Sequence, residues 1–171
     1  VTGVQLPSPA TARLTGWWEE VAAVHREVAL RHQHDQLVHH GAIEAFEAAA
    51  GRTDVPPTVG LPTFISDSDV HKWLDAVARS LPAGVPDDVR AAFDDTIALL
   101  AAAQAADGYL NTWVQTLFPG GRFAHLLTEH ELNTTEHLLE AAASALGPTR
   151  GHRRRRSPRR SGRSRCRRRP R

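Results

Sequence analysis

Cysteine is almost missing from this 171-residue chain: the only copy, Cys166, stands among arginines near the end. One thiol cannot close a disulfide within the chain, and it supplies no paired CxxC metal motif. Lysine is equally scarce, represented by Lys72 alone. No apolar run approaches the ~18 residues of a membrane span, and the first residues show no basic segment followed by an apolar core. The default expectation is a cytoplasmic chain with no membrane partner. Acidic residues are confined to one segment, since all 19 precede Arg150. Against them stand eight basic residues, which leaves residues 1–149 at −11 while Arg150–Arg171 carries 13 arginines. The net charge of +2 therefore averages two unlike parts, an acidic body and a basic tail.

Alternating apolar and polar runs of the strand type are also missing, so the body reads as all-α. Thr15 is placed to cap a helix that starts near Gly16 and runs through Trp17, Val21, Val24, Val28 and Leu37 until Gly41 breaks it. A shorter helix is expected over Ala42 to Ala50. Pro56, Pro57, Gly60 and Pro62 then argue for a loop from Gly51 to Phe64. Asp67 or Ser68 can cap a helix with Val70, Trp73, Leu74, Val77 and Leu81 on its buried stripe. Pro86, followed by Asp87 and Asp88, opens the next helix, because proline suits a first turn and carboxylates suit the positive end of a helix dipole. Its stripe is Val89, Phe93, Ile97 and Leu100, and it is expected to end at Asp107 and Gly108. The last helix is expected from about Thr128 to Leu146, with Leu132, Leu139, Ala142 and Leu146 on one side.

Between these helices, Tyr109 to Leu127 is long for a connection that usually takes ~2 to 8 residues. Its Trp113, Phe118 and Phe123 either pack onto the core or line a pocket rim. Tyr109, Asn111, His130 and Glu131 cluster near helix ends, where binding residues are commonly presented. Ten histidines raise the question of a metal. His25, His32 and His39 repeat every seven residues, yet a rise of ~1.5 Å per residue sets neighbours about 10 Å apart, too far to hold one ion. The His130-Glu131 pair does not complete HExxH, because Thr134 occupies the second histidine position. No metal site is expected here.

The strings Ser68-Asp69-Val70-His71-Lys72-Trp73-Leu74, Asp107-Gly108-Tyr109-Leu110-Asn111-Thr112, His130-Glu131-Leu132 and His137-Leu138-Leu139-Glu140-Ala141-Ala142 together resemble glycoside hydrolase family 127, which includes β-L-arabinofuranosidases. Trp17 to Gly51, with Gln33 and Leu37, is similar to the N-terminal helices of that family. The resemblance covers roughly residues 14–146. It implies an all-α fold, an incomplete (α/α)6 barrel or helical toroid fragment. It implies a carbohydrate partner, with His130 and Gln33 as substrate-binding residues and Tyr109, Asn111, Glu131 and Asp69 supporting the pocket; Asp67 matches as well. In family members a cysteine thiolate is the nucleophile, a glutamate the acid/base, and zinc held by cysteines and a glutamate tunes the thiolate. The body before Arg150 contains no cysteine, so no catalytic residue is assigned in this chain, and zinc is expected only in full-length members.

The expected organisation is an N-terminal extension at 1–13, a partial barrel domain at 14–149 and a disordered arginine-rich tail at 150–171. That tail reads either as the product of a shifted reading frame or as an arm that binds nucleic acid without sequence preference. The first reading is preferred, because alanine codons of a GC-rich gene read out of register become arginine and proline codons. Three functions follow: a β-L-arabinofuranosidase fragment retaining part of a sugar pocket, a noncatalytic carbohydrate-binding module, or a nucleic-acid binder acting through the tail. The oligomeric state is left open.

Overall fold

Helices account for all the regular structure in the computed structural model, which describes residues 13–53 and 65–146. Most of the loop expected from Gly51 to Phe64, the residues before Arg13 and the arginine tail with its expected disorder lie outside the described residues. The first long helix is built from α1 (Trp17–Val24), a π-helical segment (His25–Ala29) and α2 (Leu30–His39) without interruption. Thr15 does not cap it: Gly16 is the N-cap residue and its carbonyl accepts from the Glu19 N–H at 2.9 Å. Gly41, at φ 76°, then turns the chain into α3 (Ala42–Ala49), a left-handed conformation that glycine adopts without Cβ strain.

The centre of the molecule is α4 (Ser66–Ser80), which packs most extensively against α7 (Glu131–Leu146) and also touches α2, α3 and α5 (Asp87–Ala103). Of its expected stripe Val70, Trp73, Leu74 and Val77 are buried, while Leu81 falls just past the helix end and is half-buried. Around it Leu30, Phe46, Val89, Phe93, Leu99 and Leu100 complete one core. The Trp73 indole N–H donates to the Leu30 carbonyl at 2.9 Å, so the largest core side chain also satisfies its polar atom.

The stretch after α5 is not one long loop, because Thr112–Leu117 forms a short helix, α6, that packs on α3. Within α5, Ile97 is 41% exposed, and Thr96 and Leu99 face the core in its place. On α7 the stripe of Leu132, Leu139, Ala142 and Leu146 points outward: Leu132, Leu139 and Leu146 are 60%, 65% and 79% exposed, while Glu131, Thr134 and Ala141 are buried. Apolar residues alone mispredict that face because its inner surface at the helix start is polar, built from Glu131 and Thr134. Leu139 and Leu146 instead line an open apolar groove of about 490 Å³, with Phe93 and Ile97 across from them.

Candidate functional site

The polar face of α7 begins at its first residue. Glu131, 1% exposed, sits in the first turn of α7, where a carboxylate suits the helix dipole. One carboxylate oxygen accepts from the Tyr109 hydroxyl and the other from the Phe123 N–H at 2.8 Å. Tyr109 meets the Phe123 ring edge-on at 5.5 Å, and the Arg122 guanidinium lies 4.2 Å from the Tyr109 ring centre. Arg122 also pairs with Asp107 at 2.6 Å, so one charge closes the turn on both sides. Burial, followed by the hydrogen bond to Glu131 and its negative charge, pushes the Tyr109 phenol above its ordinary range. Tyr109 is therefore a neutral donor at any physiological pH. Beside this cluster lies a cleft of about 320 Å³ lined by Asp107, Gly108, Tyr109, Leu110, Arg122, Phe123, Thr135 and Leu138.

His130 immediately precedes Glu131 and is exposed, with a left-handed φ of 51°. Its carbonyl accepts the first backbone bond of α7, from the Thr134 N–H at 2.9 Å. Gln33 is also exposed, on α2. Both residues can donate and accept hydrogen bonds, as a polyhydroxylated ligand requires.

The other expected site residues separate. Asp69 is exposed in the first turn of α4 and pairs with Lys72 at 3.4 Å. Asn111 is buried as the N-cap of α6: its side-chain oxygen accepts from the Val114 N–H at 2.9 Å, while its own N–H donates to Gln115 at 2.8 Å. Of the four residues expected to support a pocket, Tyr109 and Glu131 are thus the pair in direct contact.

Two buried groups were not singled out for the roles they occupy. Asp67 does not cap α4, whose N-cap is Ile65; it lies inside the first turn and accepts from both the Thr112 N–H at 2.7 Å and the Thr112 hydroxyl at 2.5 Å. Burial outweighs those bonds and raises its carboxyl to about 6. His71 lies fully buried beside Phe46, its Nδ1 3.0 Å from the Thr134 carbonyl, and burial lowers its imidazole to about 4. An Nδ1–H tautomer donates to that carbonyl. The signal for His71 was its place in the Ser68–Leu74 string, where a polar residue at a core position of the helical period calls for a partner from elsewhere, and Asp67 immediately precedes that string.

Among the described residues no group of three or more histidines, cysteines, aspartates or glutamates is arranged to hold a metal ion. Zinc of the family type calls for thiolates, and the one cysteine of the chain lies outside the described residues. The donor set here does not fit that ion.

The family model for the catalytic domain of the glycoside hydrolase family 127 β-L-arabinofuranosidases matches residues 12–150. The chain belongs to this family. A non-reducing end β-L-arabinofuranosidase of Bifidobacterium longum subsp. longum is 37% identical over 82 residues, which is 46% of this chain and 12% of that protein. A crystal structure of a family 127 β-L-arabinofuranosidase from Geobacillus stearothermophilus T6 superposes with a TM-score of 0.71 at 34% identity, covering 85% of this chain and 22% of the other. A second solved structure, a family 127 β-arabinofuranosidase, has a TM-score of 0.70 at 22% identity over 81% of this chain and 23% of its own, and supports the fold. The chain thus spans less than a quarter of the length of these relatives, and its helices form part of the helical toroid of family 127. No helix among the described residues is long and apolar enough to cross a membrane.

Proposed function

We propose that this chain supplies one wall of the sugar pocket of a β-L-arabinofuranosidase-like enzyme, with His130 and Gln33 as contacts to β-L-arabinofuranosides or related sugars, and that it does not cleave the glycosidic bond itself. The observation that carries the reading is His130: an exposed imidazole in a left-handed backbone conformation, directly preceding a buried and doubly bonded carboxylate. Backbone strain of this kind persists where the surroundings hold it and is concentrated at binding sites. Gln33 adds a second exposed donor and acceptor from α2.

The chemistry of cleavage is assigned elsewhere, because thiolate attack supported by a zinc–thiolate centre needs several cysteines, and only Cys166 is present. Glu131 is committed to Tyr109 and Phe123, so we do not assign it as the acid/base.

The test has two arms. The purified chain, with and without added zinc, is assayed for hydrolysis of an aryl β-L-arabinofuranoside, and no turnover is expected. L-arabinose is then titrated in, with resonances followed by NMR, and shifts confined to residues around His130 and Gln33 are expected. Measurable turnover overturns the assignment of catalysis elsewhere; arabinose that leaves both residues unmoved overturns the pocket.

A further inference from the structure

Among the described residues, two that are not glycine have positive φ: Phe123 at 59° and His130 at 51°. A left-handed backbone brings Cβ close to the carbonyl oxygen, so non-glycine residues adopt it only uncommonly, histidine more readily than phenylalanine. Both positions are tied to the same side chain. The Glu131 carboxylate accepts from the N–H of Phe123 itself, and His130 is its immediate neighbour along the chain. The segment between them is folded by local turns, with Ala124 N–H donating to Gly121, and Thr128 and Glu129 N–H both donating to His125, at 2.9–3.0 Å. Glu131 therefore clamps the first residue of a compact segment against its last.

The clamp has a second jaw. Tyr109 donates its hydroxyl to the other oxygen of Glu131, and its ring is held by Phe123 on one side and Arg122 on another. With both oxygens occupied, the carboxylate has a fixed orientation at the start of α7. Rotating His130 to an ordinary negative φ would swing its Cβ away from its present direction and pull the chain entering α7 off Phe123.

We infer that Glu131, oriented by Tyr109, is the positioning residue that holds His130 in its left-handed, outward presentation for the sugar. This rests on the proposed role of His130 as a sugar contact. The conformational part is measurable without any sugar, which keeps the two separable.

The experiment uses the full chain and the variants Tyr109→Phe, Glu131→Ala and Glu131→Gln. Far-UV circular dichroism checks that helix content is kept. The intraresidue HN–Hα NOE, strong only when φ is positive, is read at Phe123 and His130, and L-arabinose affinity is measured by NMR titration. Glu131→Ala and Tyr109→Phe should weaken both NOEs with helix content unchanged, and weaken arabinose binding at least tenfold. Glu131→Gln should retain both NOEs, since its amide oxygen can accept from Phe123 N–H and its amide nitrogen can donate to the Tyr109 oxygen. This rescue is not expected if the negative charge alone matters.

Unchanged NOEs in Glu131→Ala overturn the inference. Should that variant fail to fold, Tyr109→Phe, which removes a single hydroxyl, decides the matter in the same way. If the wild-type chain binds no arabinose while the NOEs respond as expected, the sugar reading fails and the positioning of His130 by Glu131 stands.

Discussion

Asp67→Asn removes a buried negative charge while leaving its hydrogen bonds possible. The wild-type carboxyl is 3% exposed and sits near 6 instead of 3.8, because burial outweighs the two bonds from Thr112. A carboxyl whose folded pKa is raised holds its proton more tightly in the folded state. Its contribution is complete below the unfolded value and is lost as pH rises through about 6. At 1.36 kcal/mol per pH unit, the rise amounts to about 3 kcal/mol by pH 8 and about 0.5 kcal/mol at pH 4. In the asparagine variant the amide oxygen can accept from Thr112 N–H, while the amide nitrogen donates to the Thr112 hydroxyl oxygen. The stability of Asp67→Asn relative to wild type should therefore grow by about 2 to 3 kcal/mol between pH 4 and pH 8. Urea unfolding followed by circular dichroism at several pH values measures this directly, and comparing variant with wild type cancels the other titrating groups. A difference that stays flat across the range, or shrinks as pH rises, refutes the placement of Asp67 as a buried carboxylate against Thr112.

His71→Leu should show the opposite pH trend: the imidazole, lowered to about 4 by burial, contributes stability that is present above pH 6.5 and lost as pH falls. The variant should gain about 2 kcal/mol on wild type between pH 8 and pH 5 in the same unfolding experiment, and a constant difference would count against a neutral buried His71. Trp73→Phe loses the indole bond to the Leu30 carbonyl and leaves a void in the core, so unfolding should become easier by about 2 to 4 kcal/mol. A change below about 1 kcal/mol would mean that Trp73 is not packed as the core requires.

The helices of this chain are legible where apolar spacing and backbone breakers agree. Val70, Trp73, Leu74 and Val77 repeat at three and four residues and are all buried; Gly41 ends α2, and Pro86 directly precedes α5. Legibility fails where a polar residue faces inward. Leu132, Leu139 and Leu146 form a good helical stripe, but Glu131 and Thr134 occupy the inner face of α7, and Leu139 and Leu146 turn to the open groove. Asp67 reads as a cap from its position alone, since Thr112, its partner, is 45 residues away. The same limit applies at the candidate site. Tyr109 and Glu131 stand out as polar residues near helix ends, yet their bond spans 22 residues, and nothing in the local sequence announces the left-handed backbone of Phe123 and His130.

Residues 112–130 show why buried carboxylates carry so much of the structure here. Val114 anchors α6 in the core, but beyond it Leu117, Phe118, Phe123, Leu126 and Leu127 are 41% to 97% exposed, so apolar burial does little to hold residues 117–130 in place. The start and the middle of the 112–130 stretch are instead tied by acids from other elements: Asp67 of α4 receives both Thr112 donors, and Glu131 of α7 receives the Phe123 N–H while also accepting from Tyr109. Hydrogen bonds to a charged acceptor are stronger than neutral ones and, unlike apolar contacts, fix direction as well as proximity. They also concentrate the restraint in two side chains, so that losing either should loosen the segment at Thr112 or at Phe123 while the core around Trp73 remains closed. The segment that leads to His130 is thereby held by directed bonds at Thr112 and Phe123, without the loop itself being buried.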